Sequence, residues 1–92
     1  MSVFAVMVDF DRLGNNYTSL RKKMTSLGAL QAQGTVWLVR YDNGADALRD
    51  YLQNDLGQND RLFVAALSGD WAAFNMTSSS RWLKEASLSS RP

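Results

Sequence analysis

Apolar residues run unbroken along VFAVMV, residues 3–8, before the chain meets Asp9 and Asp11. Apolar side chains at both parities are the pattern of a strand covered on both faces, so a first strand is predicted over residues 3–10. LGNN at 13–16 carries turn chemistry, and Asn15 or Asn16 suits an N-cap. In YTSLRKKMTSLG the apolar positions are Tyr17, Leu20, Met24 and Leu27, one stripe of a helix, with Gly28 at its C′ position. ALQAQG and TVWLVRY read as two short strands joined near Gly34. DNG at 42–44 starts a second helix, ADALRDYLQNDLG, which gathers Leu48, Tyr51, Leu52 and Leu56 on one side and ends at Gly57. A last apolar strand covers about Leu62 to Leu67.

Strand–helix–strand–strand–helix–strand is the order of a ferredoxin-like split βαβ sandwich, an α+β fold with a four-stranded antiparallel sheet. Right-handed crossovers place the fourth strand beside the first and the third on the first strand's other side. Strands 1 and 4 are read as central or near-central, and both helices as covering one face. Phe4, Val6 and Val8 then point one way, and Val3, Ala5 and Met7 the other. An uncovered apolar face is unusual on a monomer, so a homodimer packing open sheet face on open sheet face is expected. Residues 1–70 form this domain, and 71–92 are an appendage, part helical and part flexible. Within it DWAAFNM reads as a helical turn, TSSS at 77–80 as a polar break, and RWLKEA as a short helix capped by Ser79 or Ser80. Trp82 and Leu83 are expected to dock on the open face or on a partner. Trp37 reads as core, and Trp71 and Trp82 as pins for the C-terminal segment.

Ninety-two residues make one small domain with a modest core. No run reaches the roughly 20 apolar residues of a membrane span, and MSVFAVMV lacks a basic n-region and a cleavage site, so the chain is read as cytoplasmic, with no membrane partner. Cysteine and histidine are both absent. That removes disulfides, thiol nucleophiles, thiolate zinc sites, Ser-His-Asp chemistry and histidine ligation. Any metal would be held by oxygen ligands, which favours Mg²⁺ or Mn²⁺. The net charge is +1, but five basic residues and no acid lie between Arg12 and Tyr41, and five aspartates with one arginine lie between Asp42 and Asp60.

Two groups of residues are candidates for chemistry. In the split βαβ layout the end of strand 1 lies beside the starts of strands 3 and 4, so Asp60 and Thr35 are expected near Asp9. Asp9, Asp11 and Asp60 at one sheet rim are candidate ligands for Mg²⁺, whose bound water could attack a phosphodiester. The plainer alternative is that each aspartate closes a strand or turn by accepting nearby N–H groups. Arg12, Arg21, Lys22 and Lys23 are candidate phosphate contacts, against which stands ion pairing with Asp46 and Asp50 on the neighbouring helix. No GxGxxG or GxxxxGK[ST] occurs.

V-D-F-D closing a strand, N-Y-x-x-L opening a helix, then G-T-V-W-L-V, A-D-A-L-R-D-Y-L and N-D-R-L-F-V-A-A-L-S-G-D-W-A together resemble the small bacterial and phage proteins of the SinR family. The resemblance covers residues 3–73. It implies a fold similar to the CRISPR-associated ferredoxin-like nuclease that partners the spacer integrase, and to VapD-type toxin ribonucleases. In those relatives the aspartate closing the first strand is linked to the metal and is the catalytic position, and two copies meet in a homodimer. Asp9 alone matches that position; Asp11 and Asp60 are placed by the fold argument only. This chain departs from the relatives in lacking histidine and in its balanced charge. Residues 81–88 also look more helical than the strand those relatives often exchange.

Two functions are expected. One is a homodimeric nucleic-acid-associated protein resembling metal-dependent endonucleases or ribonucleases, as an active or an inactivated member, acting on RNA or DNA. The other is a non-catalytic interaction module with a protein partner, such as an antitoxin or a phage-encoded inhibitor.

Overall fold

The computed structural model describes residues 2–11 and 17–89. Its elements follow the expected order: β1 (Ser2–Asp9), α1 (Thr18–Ser26), β2 (Leu30–Gln33), β3 (Val36–Tyr41), α2 (Ala45–Gln53), β4 (Arg61–Leu67) and α3 (Thr77–Ser89). The four strands form one antiparallel sheet in the order β2-β3-β1-β4. This is the α+β split βαβ arrangement read from the hydrophobic pattern. One point differs: β1 is central, but β4 lies at the outer edge. Its apolar character comes from packing on its inner face rather than from strands on both sides.

Alternation along β1 divides the molecule into two layers. Phe4, Val6 and Val8 are buried, and with Trp37 and Val39 of β3 they meet Tyr17, Leu20, Met24, Leu48 and Leu52 in the main core. The helical residues lie three or four positions apart, so each helix turns one stripe toward the sheet. Leu20, Leu48 and Leu52 are fully enclosed, and each such leucine contributes about 1.5–3 kcal/mol by leaving water. Gly28 follows α1 with φ +68, the left-handed conformation a C′ residue requires.

The start of α1 departs from expectation. Asn15 and Asn16 lie outside the described residues, and the helix is preceded directly by Tyr17, at φ 47 and ψ 49, with no side-chain cap hydrogen bond. Tertiary contacts hold this unfavourable conformation. The Tyr17 ring lies 4.2 Å from that of Phe10, and its hydroxyl donates to Asp60 Oδ1 at 2.8 Å.

The other face of the sheet carries Val3, Ala5 and Met7 of β1, paired across to Arg40, Leu38 and Val36 of β3 and to Leu67, Ala65 and Phe63 of β4. α3 covers part of it. Leu38 is buried although it lies outside the main core, and Leu83 and Ala86 of α3 are buried with it. Met76, just before α3, touches Gln33, and Trp82 lies 5.8 Å from the Arg40 guanidinium. α3 therefore roofs the β2–β3 half, as expected for Trp82 and Leu83. Two readings of this segment are corrected. Thr77–Ser80 is the first turn of α3 rather than a polar break, because Ser79 is buried and Ser80 N–H donates to Met76 O at 2.9 Å. Residues 70–76 are irregular rather than helical, with Asn75 at φ 59 interrupting any turn. What stays open is the β1–β4 half, where Met7 is 37% and Phe63 60% exposed.

Candidate functional site

The candidate carboxylates sit where β1 ends and β4 begins, but they divide between the two faces of the sheet. Asp9 shares the parity of Val3, Ala5 and Met7, so its side chain belongs to the outer face. It pairs in register with Arg61, whose Nε lies 4.0 Å from Asp9 Oδ2. Both side chains are largely in water, at 75% and 84% exposure, so this pair adds little stability.

Asp60 precedes Arg61 and takes the opposite parity. Its carboxylate turns toward the helical layer and collects three donors: Asp11 N–H at 2.7 Å, Tyr17 Oη at 2.8 Å and Gly57 N–H at 2.7 Å. One side chain thus ties the end of β1, the start of α1 and the turn after α2 to one another. Asp11 contributes its backbone N–H to this knot and is itself exposed. Asp60 meets Asp11, while Asp9, beside which the layout put Asp60, has its side chain on the other face. Among the described residues no group of three or more carboxylates is placed to hold a metal ion. Thr35 does lie beside β1, its carbonyl accepting Val8 N–H at 2.9 Å.

The basic candidates also separate. Lys23 crosses to the second helix, where its Nζ is 3.0 Å from Asp55 Oδ2, donates to Tyr51 O at 2.6 Å and stands 4.3 Å above the Tyr51 ring. The contact with Asp55 Oδ2 is an ion pair without hydrogen-bond geometry. The pairing across helices is as weighed from the sequence, but its partner is Asp55. Asp50 is taken by Arg49 on its own helix at 2.9 Å, and Asp46 Oδ1 accepts Ala47 N–H. Arg21 and Lys22 are exposed on α1, in the layer opposite the face that bears Asp9. Arg12 lies outside the described residues.

Two hollows flank the rim. One, of about 520 Å³, is polar and runs between Asp11, Tyr17, Ser19, Asp55 and Asp60. The other, of about 380 Å³, opens on the outer face between Met7, Val36, Leu62 and Phe63, with Asp9 and Arg61 at its mouth. Sequence reasoning did not single out Phe63 or the Asp9–Arg61 pair. Both follow from period-two alternation: once Asp9 is counted with Met7, and Arg61 with Phe63, all four share a face.

No protein-family model matches the chain, and no solved structure matches it. No helix among the described residues is long and apolar enough to cross a membrane.

Proposed function

We propose that the chain is a non-catalytic protein-interaction module, of the kind used as an antitoxin or an inhibitor. The observation that carries this reading is the unroofed half of the outer face. Phe63 stands 60% exposed beside Met7, over an apolar hollow whose mouth bears one negative and one positive side chain. A large exposed aromatic beside apolar neighbours with a polar rim suits an anchor residue of a partner. The engagement of Asp60 and Lys23 in contacts that hold the fold supports the same reading. Affinity capture from a native lysate tests it. The wild type retains a stoichiometric protein partner that Phe63→Ser loses and Asp9→Asn keeps. Recovery of no stoichiometric partner, or equal recovery by Phe63→Ser, would sink it.

One observation favours the second reading, a homodimeric nucleic-acid-associated protein similar to the CRISPR-associated and VapD-type nucleases. Asp9 ends β1 and stands 75% exposed at the rim, the position that the resemblance links to a metal, and oxygen ligands favour Mg²⁺ or Mn²⁺. This reading requires metal-dependent cleavage of RNA or DNA by the purified protein, abolished in Asp9→Asn with the fold intact. Absence of cleavage with either ion on both substrates would remove it.

A further inference from the structure

The two outer strands of the sheet are built differently. β2 is four residues long, presents Gln31 and Gln33, shifts register between them and has α3 packed beside it. Those are the usual guards against strand-to-strand association: shortness, polarity, irregularity and a cover. β4 has α2 packed against it but lacks the other three. It runs seven residues, RLFVAAL, pairs with β1 without a register shift, and carries its only charge at its first position. On its other side no described strand pairs with it.

The residue order of β4 is also self-complementary. A second copy laid antiparallel about a two-fold axis through Val64, perpendicular to the sheet, keeps inner-face residues with inner-face residues. It sets Val64 against Val64 of the partner subunit, Leu62 against Ala66 of the partner subunit and Phe63 against Ala65 of the partner subunit. Leu62 and Phe63 therefore each face an alanine, which lets these opposed residues pack without collision, while Leu67 lies opposite Arg61 across the axis. Moving the axis two residues either way leaves part of the strand unpaired, so Val64 is the axis that engages all seven positions. In the single chain both Phe63 and Ala66 are exposed.

We infer that two copies of this chain join edge to edge through β4, forming one continuous eight-stranded sheet. This differs from the stacking of open faces expected from the sequence. It puts two Met7–Phe63 hollows side by side on one surface, so it extends the proposed interaction face without depending on what binds there. An isologous contact of this kind closes at two copies.

The chain has no cysteine, so single introduced thiols report the contact directly. Opposed residues of an antiparallel pair have Cβ atoms about 4.5–5.5 Å apart, close to the separation a disulfide spans. Under mild oxidation Val64→Cys is expected to shift most of the protein to twice the 10.3 kDa chain mass, while Met7→Cys stays at background. If circular dichroism shows Val64→Cys to be unfolded, Phe63→Cys mixed with Ala65→Cys replaces it, cross-linking in the mixture and not in either variant alone. A single-chain mass at every concentration in sedimentation of the wild type overturns the inference. So does cross-linking through Met7→Cys in place of Val64→Cys, which means stacked faces. Neither result touches capture of a partner by Phe63, so the two proposals fail separately.

Discussion

The hydroxyl of Tyr17 donates to Asp60 Oδ1 at 2.8 Å across 43 positions of sequence, and the same carboxylate holds Asp11 N–H and Gly57 N–H. Hydrogen bonds to a charged acceptor contribute about 1.5–3 kcal/mol each when partly buried, and are not additive. Asp60→Ala is expected to lower stability by about 2–3 kcal/mol, and Tyr17→Phe, which keeps the ring on Phe10, by about 1 kcal/mol. Urea denaturation of both variants checks this. An Asp60→Ala variant as stable as wild type would show that the knot contributes nothing.

Lys23 and Lys22 are neighbours in sequence and opposites in role. Lys23 combines an ion pair, a hydrogen bond and a ring contact between α1 and the end of α2, with its side chain 23% exposed. Lys22 is exposed. Lys23→Ala is expected to destabilise by about 1–2 kcal/mol, and Lys22→Ala by less than about 0.5 kcal/mol. Equal effects in thermal or denaturant unfolding would contradict the assignment of Lys23 to fold maintenance.

Gly28 and Gly34 offer a backbone comparison free of steric crowding, because an added Cβ meets no atom within 4 Å at either. Only Gly28 has a left-handed φ, at +68. Gly28→Ala is expected to lower stability by about 1 kcal/mol through backbone strain alone, while Gly34→Ala is neutral or slightly stabilising because the unfolded chain loses freedom. A midpoint shift in denaturant that is the same for both would refute the distinction.

Phe63 and Leu48 separate surface from core. Leu48 is fully buried beneath the sheet, so Leu48→Ala is expected to lose about 3 kcal/mol. Phe63→Ser is expected to change stability by less than about 1 kcal/mol, since much of the ring is already in water. A large loss of stability in Phe63→Ser would mean that its role lies in the fold and not in docking.

α3 gives a fourth contrast within the outer layer. Leu83→Ala removes the side chain buried with Leu38 and is expected to lower stability by about 2–3 kcal/mol. It should also raise binding of a hydrophobic dye as the β2–β3 half opens. Lys84→Ala, exposed on the same helix, should do neither.

Element order, strand pairing and the inner core were legible in the sequence because periodicity reports them. The stripe Tyr17, Leu20, Met24 and Leu27 and the alternation Phe4, Val6 and Val8 each name one buried face. The position of β4 was misread because Leu62–Leu67 is apolar at both parities, and a central strand and an edge strand with a hydrophobic outer face look alike in one dimension. The carboxylates were read as sharing one rim, with no face assigned to any of them. Proximity was argued from topology, while side-chain direction is set by parity, which sends Asp9 outward and Asp60 inward. Thr77–Ser80 resembled a linker by composition, yet serine is a sound opening for a helix whose later residues, Leu83 and Ala86, have a surface to bury.

The inner core draws on residues from Phe4 to Val64, whereas the helix that packs on the other face of the sheet contributes the buried residues Ser79, Leu83 and Ala86. A chain emerging from the ribosome therefore has the residues of its inner core before α3 exists. Leu38 stays wet until α3 is synthesised, so a chain cut after Leu67 would leave the outer side of its sheet greasy and exposed.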